Sequence, residues 1–406
     1  MLSGYKILDL TGELGPLAAK MLGDLGADVI KIEKPEGSPE RSLKPFYHDE
    51  PGIENSLVYW AYNTGKKGIT LNLETEKGKE LFLKLAKDAD AVIESFDPGY
   101  MDSLGLGYED LKKINPKLVY TAITPYGQDG PYVDQHWKYN DLSLWAMGGT
   151  MASAGYPDRP PVRISTHVVN TFGGHHGALG TMTALYGADA TGEGCKVDVS
   201  TLDAVSRHIL GEIPAWVYHK RFMVRRGPKQ PRGPVIVRMS WECKDGNVAC
   251  RLSGGRTIRT LKTLMEWIIE EGEGEVLKKY SFDNIDLVDQ AVVDEIEGCM
   301  SDFFMKRTKD ELFTEALKRH FDLVAVQDAG DIVVDKQLEF RKFWSELEHE
   351  DLGETFKYPG TYFLSTEGRW APTKRAPHLG EHNAEVYGAL GVSADELREL
   401  KEGGVI

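Results

Sequence analysis

Through the N-terminal third of the chain, short apolar runs alternate with stretches in which apolar residues recur every three or four positions. Tyr5–Leu10 (YKILDL) and Asp28–Ile32 (DVIKI) have the length and aliphatic content of strands, and Leu17–Leu25 (LAAKMLGDL) between them carries helical spacing. Pro16 stands at the expected first turn of that helix and Gly26 just past its end, the usual punctuation of a helix. The unit repeats as strand Gly68–Leu73, helix Lys77–Lys87, strand Ala91–Glu94, helix Tyr108–Ile114 and strand Leu118–Ile123. Strands separated by helices predict an α/β fold, a Rossmann-like parallel sheet covered on both faces.

Further along, the small and apolar residues Gly173–Ala188 predict a tightly packed helix that ends near Thr191-Gly192. Lys196–Ser200 reads as a strand and Thr201–Arg207 as the start of a helix. The composition then changes. No acidic residue occurs between Ile213 and Trp241, while Lys220, Arg221, Arg225, Arg226, Lys229, Arg232 and Arg238 accumulate, and Pro228, Pro231 and Pro234 predict a loop in part of that stretch. Residues from about 241 to 320 read as a smaller α+β unit, and the final stretch carries a helix at Lys309–Arg319, a strand near Leu323–Gln327 and a terminal helix Ala394–Glu402. The expected domains are a large one beginning at 1–211, a small one over 212–320 with its linkers, and a segment 321–406 returning to the large one.

Charge narrows the partners. With 48 Lys and Arg against 63 Asp and Glu, the 406-residue chain carries a net −15, a poor match for the phosphates of nucleic acid or an anionic membrane. No run approaches the length of a membrane helix, and the start has neither a basic nor an apolar leader segment. The four cysteines, Cys195, Cys243, Cys250 and Cys299, show no metal-ligand spacing and read as reduced thiols. A cytoplasmic protein without nucleic-acid or membrane partners is the expectation.

Individual motifs say little about chemistry. The first strand-to-helix turn, Thr11-Gly12-Glu13-Leu14-Gly15-Pro16, lacks the three-glycine dinucleotide fingerprint, although Glu33 ends the second strand where a ribose carboxylate would sit. His175 and His176 are adjacent within a helical pattern and so point apart, which argues against a shared metal. The basic run fits a solvated or subunit-facing loop better than a phosphate clamp. There is no Walker loop, GxSxG or HExxH, so residue chemistry alone leaves the activity open.

The ordered series of segments is far more specific. LDLTGELGPLAAKMLGDLGADVIKIEKPEG, YNTGKKGITLNLETEKGKELFLKL, ESFDPGYMDSLGLGYEDLKKINPKLVYTAITPYGQDGPY, ALYGADATGEGCKVDVSTLDAV, GETFKYPGTYF and APHLGEHNAEVYGALGV together resemble the class III CoA-transferases, the CaiB/BaiF family, over nearly the whole chain. The resemblance implies a Rossmann-like large domain, a smaller domain and two chains threaded through each other as an interlocked dimer. It also implies acyl exchange between a CoA thioester and a free carboxylate through an aspartate, by way of mixed anhydrides and an aspartyl-CoA thioester. No metal or covalently bound cofactor is implied, CoA thioesters being substrates.

Aligning Gly180, Ala184-Leu185 and Thr191–Gly194 with the family signature puts Asn170 at the position of that aspartate. An amide is neutral and a very weak nucleophile, and no Asp or Glu occurs between Arg159 and Ala188 to replace it. Asp158, the nearest carboxylate upstream, lies in the turn YPDRPP. The resemblance further implies CoA contacts at Lys34, Leu71, Phe96, Leu104 and Lys138, weakened because Ser103 and Glu74 stand where the family carries basic residues. The glycine-rich lid loop of some members is not evident here, although Ser253-Gly254-Gly255 leaves a short flexible turn.

The leading expectation is therefore a non-catalytic subunit of a heteromeric transferase. Its homologous partner, in an interlocked heterodimer or heterotetramer, supplies the aspartate and moves CoA between succinyl-CoA and an aromatic, benzylsuccinate-like acid. The alternatives are an active homodimer using another carboxylate, Glu13 or Asp141, and an acyl-CoA sensor without turnover.

Overall fold

Six strands, β1 (Lys6–Leu10), β2 (Asp28–Glu33), β3 (Lys67–Thr70), β4 (Ala91–Glu94), β5 (Val119–Thr124) and β6 (Lys196–Ser200), form one parallel sheet in the order β3-β2-β1-β4-β5-β6. They belong to a computed structural model that describes residues 1–252, 258–283 and 288–406. Every residue of β4 and β5 is buried, as expected of strands covered on both faces, which need apolar side chains at successive positions rather than alternate ones. The register pairs Leu8 with Ile30 on one side and with Val92 on the other, so β1 runs through the middle of the core.

The punctuation read from the sequence is realised in the backbone. Helix α1 (Pro16–Asp24) starts with Pro16 in its first turn, after Gly15 in the left-handed region at φ +87°, and Gly26 at φ +107° follows its end. Helix α2 (Leu57–Tyr62) is capped by the Ser56 hydroxyl and α3 (Glu76–Lys87) by that of Thr75. The small-residue stretch is a helix longer than expected, Val168–Thr191, closed by Gly192 at φ +79°. Its glycines bring it against α1 and β5: a Cβ on Gly177 would lie 2.4 Å from Ile123 Cδ1, and one on Gly174 2.8 Å from Leu17 Cβ.

The C-terminal segment protects the outer edge of β3. Asn383 Oδ1 accepts from the Thr70 amide at 2.9 Å, His382 Nδ1 from the Gly68 amide at 3.1 Å, and Tyr387 donates to the Thr70 carbonyl at 2.6 Å. An edge occupied in this way is closed to another strand. Met1–Met151, Arg163–Phe222 and Gln337–Ile406 make up this unit.

The second unit comprises Ala152–Val162 and Met223–Lys336. A three-stranded antiparallel sheet of Ser240–Cys243, Gly246–Cys250 and Leu323–Ala325 packs with helices that include Gln290–Phe304 and Lys309–Arg319 around Trp241, Met300, Phe303 and Phe304. The loop expected from its prolines extends only over 220–228. It is preceded by the helix Glu212–His219 and followed by an antiparallel ladder, Lys229–Arg232 against Val235–Arg238. Pro231 is tolerated there because both strands of a two-stranded ribbon are edges, where a missing N–H leaves no ladder bond unmade. The expected turn at Ser253-Gly254-Gly255 lies outside the described residues. Among the described residues no helix is long and apolar enough to cross a membrane.

Candidate functional site

Between β1 and β4 the strand order reverses, so the chain leaves the two strands in opposite directions and a crevice opens beyond their carboxyl ends. Thr11–Leu14 after β1 and Ser95-Phe96 after β4 form its walls, joined by the Gly12 amide donating to Ser95 Oγ at 2.9 Å. The cleft encloses about 890 Å³, with Lys34, Arg41 and Tyr139 among its other walls. In such a parallel sheet this is where ligands bind.

Beneath it lies a set of buried charges. Asp9, fully buried in β1, accepts from Lys66 Nζ at 2.7 Å, and Lys31 pairs with Glu40 at 2.9 Å. Burial works to raise the Asp9 pKa, yet Lys31 and Lys66 hold it below the usual aspartate value. For Glu40 burial prevails and its carboxyl titrates higher than usual. Glu33 borders the cleft, but its oxygens are already taken. Its two oxygens accept from Arg41 at 2.7 and 2.8 Å, from Tyr59 at 3.0 Å and from the Ser38 amide at 3.0 Å. Burial opposes its ionisation, but the Arg41 guanidinium keeps its carboxyl below the ordinary range. This saturated carboxylate gives the absence of the glycine fingerprint a structural counterpart.

Of the positions carried over from the resemblance, Lys34 and Phe96 line the cleft. Lys34 is held by Glu74 at 3.3 Å, and Glu74 also accepts from Tyr100 at 3.0 Å, so Glu74 neutralises the cation beside it. Leu71 is 1% exposed within the core, and Leu104 packs half-buried against that core; neither is on the cleft lining. Lys138 is exposed, 3.7 Å from Asp97, and the Ser103 hydroxyl donates to the Tyr100 carbonyl at 2.7 Å.

Asn170 lies in the first turn of the long helix and lines a second cavity of about 460 Å³. Ser165, Thr166 and His167 share its wall with Asn170, and Pro16, Leu17, Leu43 and Val58 supply apolar surface. Glu13 lines both this cavity and the cleft. Asp141 does not line the cavity: it accepts from the Val169 amide at 3.2 Å and pairs with Arg163 at 3.5 Å, which ties it to the helix start. Neither the sheet order nor any spacing in the sequence reveals that Glu13 borders both spaces, because the second wall comes from residues more than a hundred positions away. His176 bonds through Nδ1 to the Phe172 carbonyl at 2.9 Å, an ordinary helical contact.

The basic run is partly internal to the second unit. Arg225 Nε donates to the Tyr156 carbonyl at 3.2 Å and Arg232 to the Leu252 carbonyl at 3.0 Å.

Comparison with known proteins agrees with this geometry. The sequence profile described as CoA-transferase family III matches residues 2–383. The chain is 33% identical over 410 residues to the succinyl-CoA:(R)-benzylsuccinate CoA-transferase subunit BbsE of Thauera aromatica, covering 100% of this chain and 98% of that one. It is 28% identical to the succinyl-CoA–L-malate CoA-transferase beta subunit of Chloroflexus aurantiacus, over 100% of this chain and 98% of the relative. The crystal structure of a CaiB/BaiF family protein from Brucella suis superposes with a TM-score of 0.84 at 28% identity, covering 96% of this chain and 99% of the other.

Proposed function

The chain belongs to CoA-transferase family III, and on that premise we propose that it is the non-catalytic subunit of a heteromeric transferase that exchanges CoA between succinyl-CoA and a second carboxylic acid. One observation carries the reading: the family signature aligns Asn170 with the nucleophile, and no Asp or Glu occurs between Arg159 and Ala188. The exchange requires a carboxylate that attacks the thioester carbonyl, expels the thiolate of CoA and holds the acyl group as an anhydride. The thiolate then attacks the enzyme carbonyl of that anhydride, releasing the first acid and leaving an enzyme-CoA thioester. The acceptor acid repeats the sequence in reverse. A neutral amide oxygen cannot take the first step at a useful rate.

The partner subunit, a homologue interlocked with this chain, supplies the aspartate. Two of the relatives are named as subunits, which supports a heteromer. The acid is an aromatic dicarboxylate of the benzylsuccinate kind, by similarity to BbsE. The cleft agrees with a subsidiary role, since Lys34 is compensated by Glu74 and Glu13 and Glu36 add negative charge where a polyanionic CoA would lie. CoA turnover then falls to the partner's cleft, in the cytoplasm, where CoA thioesters are found.

A second reading, an active homodimer with Glu13 as nucleophile, is favoured by the position of Glu13 on both cavities. CoA exchange measured for the chain alone and co-expressed with an aspartate-bearing homologue separates the two. The first reading expects exchange only from the pair, abolished by Asp→Ala in the partner. The second expects exchange from the isolated chain, abolished by Glu13→Gln.

A further inference from the structure

Glu94 places an ionisable group directly behind one wall of the cleft. It ends β4 and is 4% exposed. Its Oε2 accepts from the Phe96 amide at 2.6 Å, and its Oε1 accepts from the hydroxyl of Tyr120 on β5 at 3.3 Å. Between them in the chain, Ser95 receives the Gly12 amide from the opposite wall at 2.9 Å. Phe96 lines the cleft, and its ring lies 4.8 Å from that of Tyr100 in the short helix Tyr100–Ser103. Tyr100 in turn donates to Glu74, the partner of Lys34. A change at the Glu94 carboxyl therefore reaches, through one amide, the ring that forms the wall and the polar contacts beyond it.

The surroundings give that carboxyl hydrogen bonds but no matching cation. Among the described residues no basic side chain forms an ion pair with it, whereas the buried Asp9 has Lys66 and the buried Glu33 has Arg41. Leu10 on β1 and Ala122 on β5 stand beside it in register and bring no charge. Asp102 of the short helix repels a negative charge there, and Lys196 of β6 attracts one while donating its own hydrogen bond to Gln128 at 3.1 Å. A carboxylate buried without a counter-ion binds a proton readily, and burial pushes Glu94 up to about 7. The neutral carbonyl of a glutamine would meet the Phe96 amide as an acceptor, so architecture alone calls for no ionisable group. The ionised carboxylate makes a charge-assisted bond to that amide, and the protonated one makes a neutral bond about half as strong.

We propose that Glu94 is a proton-operated positioning residue for the cleft: its ionised carboxylate fixes the Phe96 wall and its protonated form loosens it, so that occupancy of the cleft is linked to proton binding. The link is reciprocal. A ligand that packs on the fixed Phe96 ring favours the ionised form and expels a proton, and raising the pH tightens that ligand through the same coupling. The two effects of ionisation have opposite signs, since a buried charge lowers the stability of the whole fold while it orders the wall. Glu94 acts on the wall of the cleft and takes no part in acyl transfer, so the proposal stands whether or not this chain carries its own nucleophile.

NMR of the full chain labelled with 15N-phenylalanine and titrated from acid to alkaline pH tests it without any ligand, the Phe96 signal being assigned by its loss in Phe96→Leu. The expected result is a Phe96 amide proton that moves downfield as pH rises, with a midpoint at about 7. Glu94→Gln should abolish that movement. Tyr120→Phe removes a donor to the ionised carboxylate and should raise the midpoint by roughly half a pH unit or more, which a loss of packing alone would not do. Hydrogen exchange over residues 95–103, compared at each pH with Glu94→Gln, should show roughly threefold or greater protection above the midpoint than below it. A Phe96 amide indifferent to pH, the same movement in Glu94→Gln, an unmoved midpoint in Tyr120→Phe, or equal protection across the titration overturns the proposal. Thermal melting confirms that the variants fold, and the Tyr120→Phe comparison decides the matter by itself if Glu94→Gln does not.

Discussion

Glu94, at the end of β4 and 4% exposed, accepts from the Phe96 amide at 2.6 Å and from Tyr120 at 3.3 Å, so it braces one wall of the cleft. Burial pushes its carboxyl up to about 7. The folded protein therefore binds this proton more tightly than the unfolded chain. The stabilisation is complete below the unfolded value near 4.5 and is lost as pH rises through about 7. Between pH 5 and 7.5 the urea stability of the wild type should fall relative to Glu94→Gln by an amount on the order of 2–3 kcal/mol. Parallel pH dependences of the two proteins would contradict this. Glu33 has the opposite sign. Its pKa is depressed, so its contribution is present above pH 4.5 and lost as pH falls through its folded value. Glu33→Gln leaves the buried Arg41 with Glu54 as its remaining ion-pair partner and should cost about 1.5–3 kcal/mol, read from the shift in denaturant midpoint. Neither role was visible in the sequence, which marks Glu33 only as the end of a strand and Glu94 as one polar residue in AVIE. Burial and partnership are supplied by residues distant in the chain.

At the scale of elements, the long helix depends on the absence of side chains. Gly174 and Gly177 allow it to approach α1 and β5, and that approach fixes where Asn170 sits relative to the turn after β1. Gly177→Ala gains about 1 kcal/mol of helix propensity but forces Ile123 aside, and overpacking of 1–3 kcal/mol should win. A melting temperature lowered by several degrees is the expected outcome, and an unchanged or raised one would show that Ile123 can yield. Gly15→Ala adds left-handed strain to a 2.7 Å contact with Ile123 Cδ1 and should destabilise further. Sequence patterning was informative here because the periodicity is local. β4, β6 and the helices Tyr108–Ile114, Lys309–Arg319 and Ala394–Glu402 lie where the spacing put them. It failed in the proline-rich stretch, where a two-stranded ladder pays no penalty for Pro231, and at the start of the long helix, whose first turn carries no side-chain cap.

At the scale of the whole molecule, the parallel sheet, its switch-point cleft and the profile match over residues 2–383 make this a family III CoA-transferase chain. The family was legible in the sequence because short motifs recur in a fixed order. The cavity shared by Glu13 and Asn170 was not, since it forms only when the β1 turn, α2 and the long helix come together. On the proposed reading this chain supplies no acyl-accepting carboxylate. The most direct test of that reading is hydroxylamine trapping under succinyl-CoA, with peptide mapping of the isolated chain and of the chain paired with its catalytic homologue. A hydroxamate confined to the partner's aspartate is the predicted result; a hydroxamate on this chain, at Glu13 or at any other carboxylate, would contradict it.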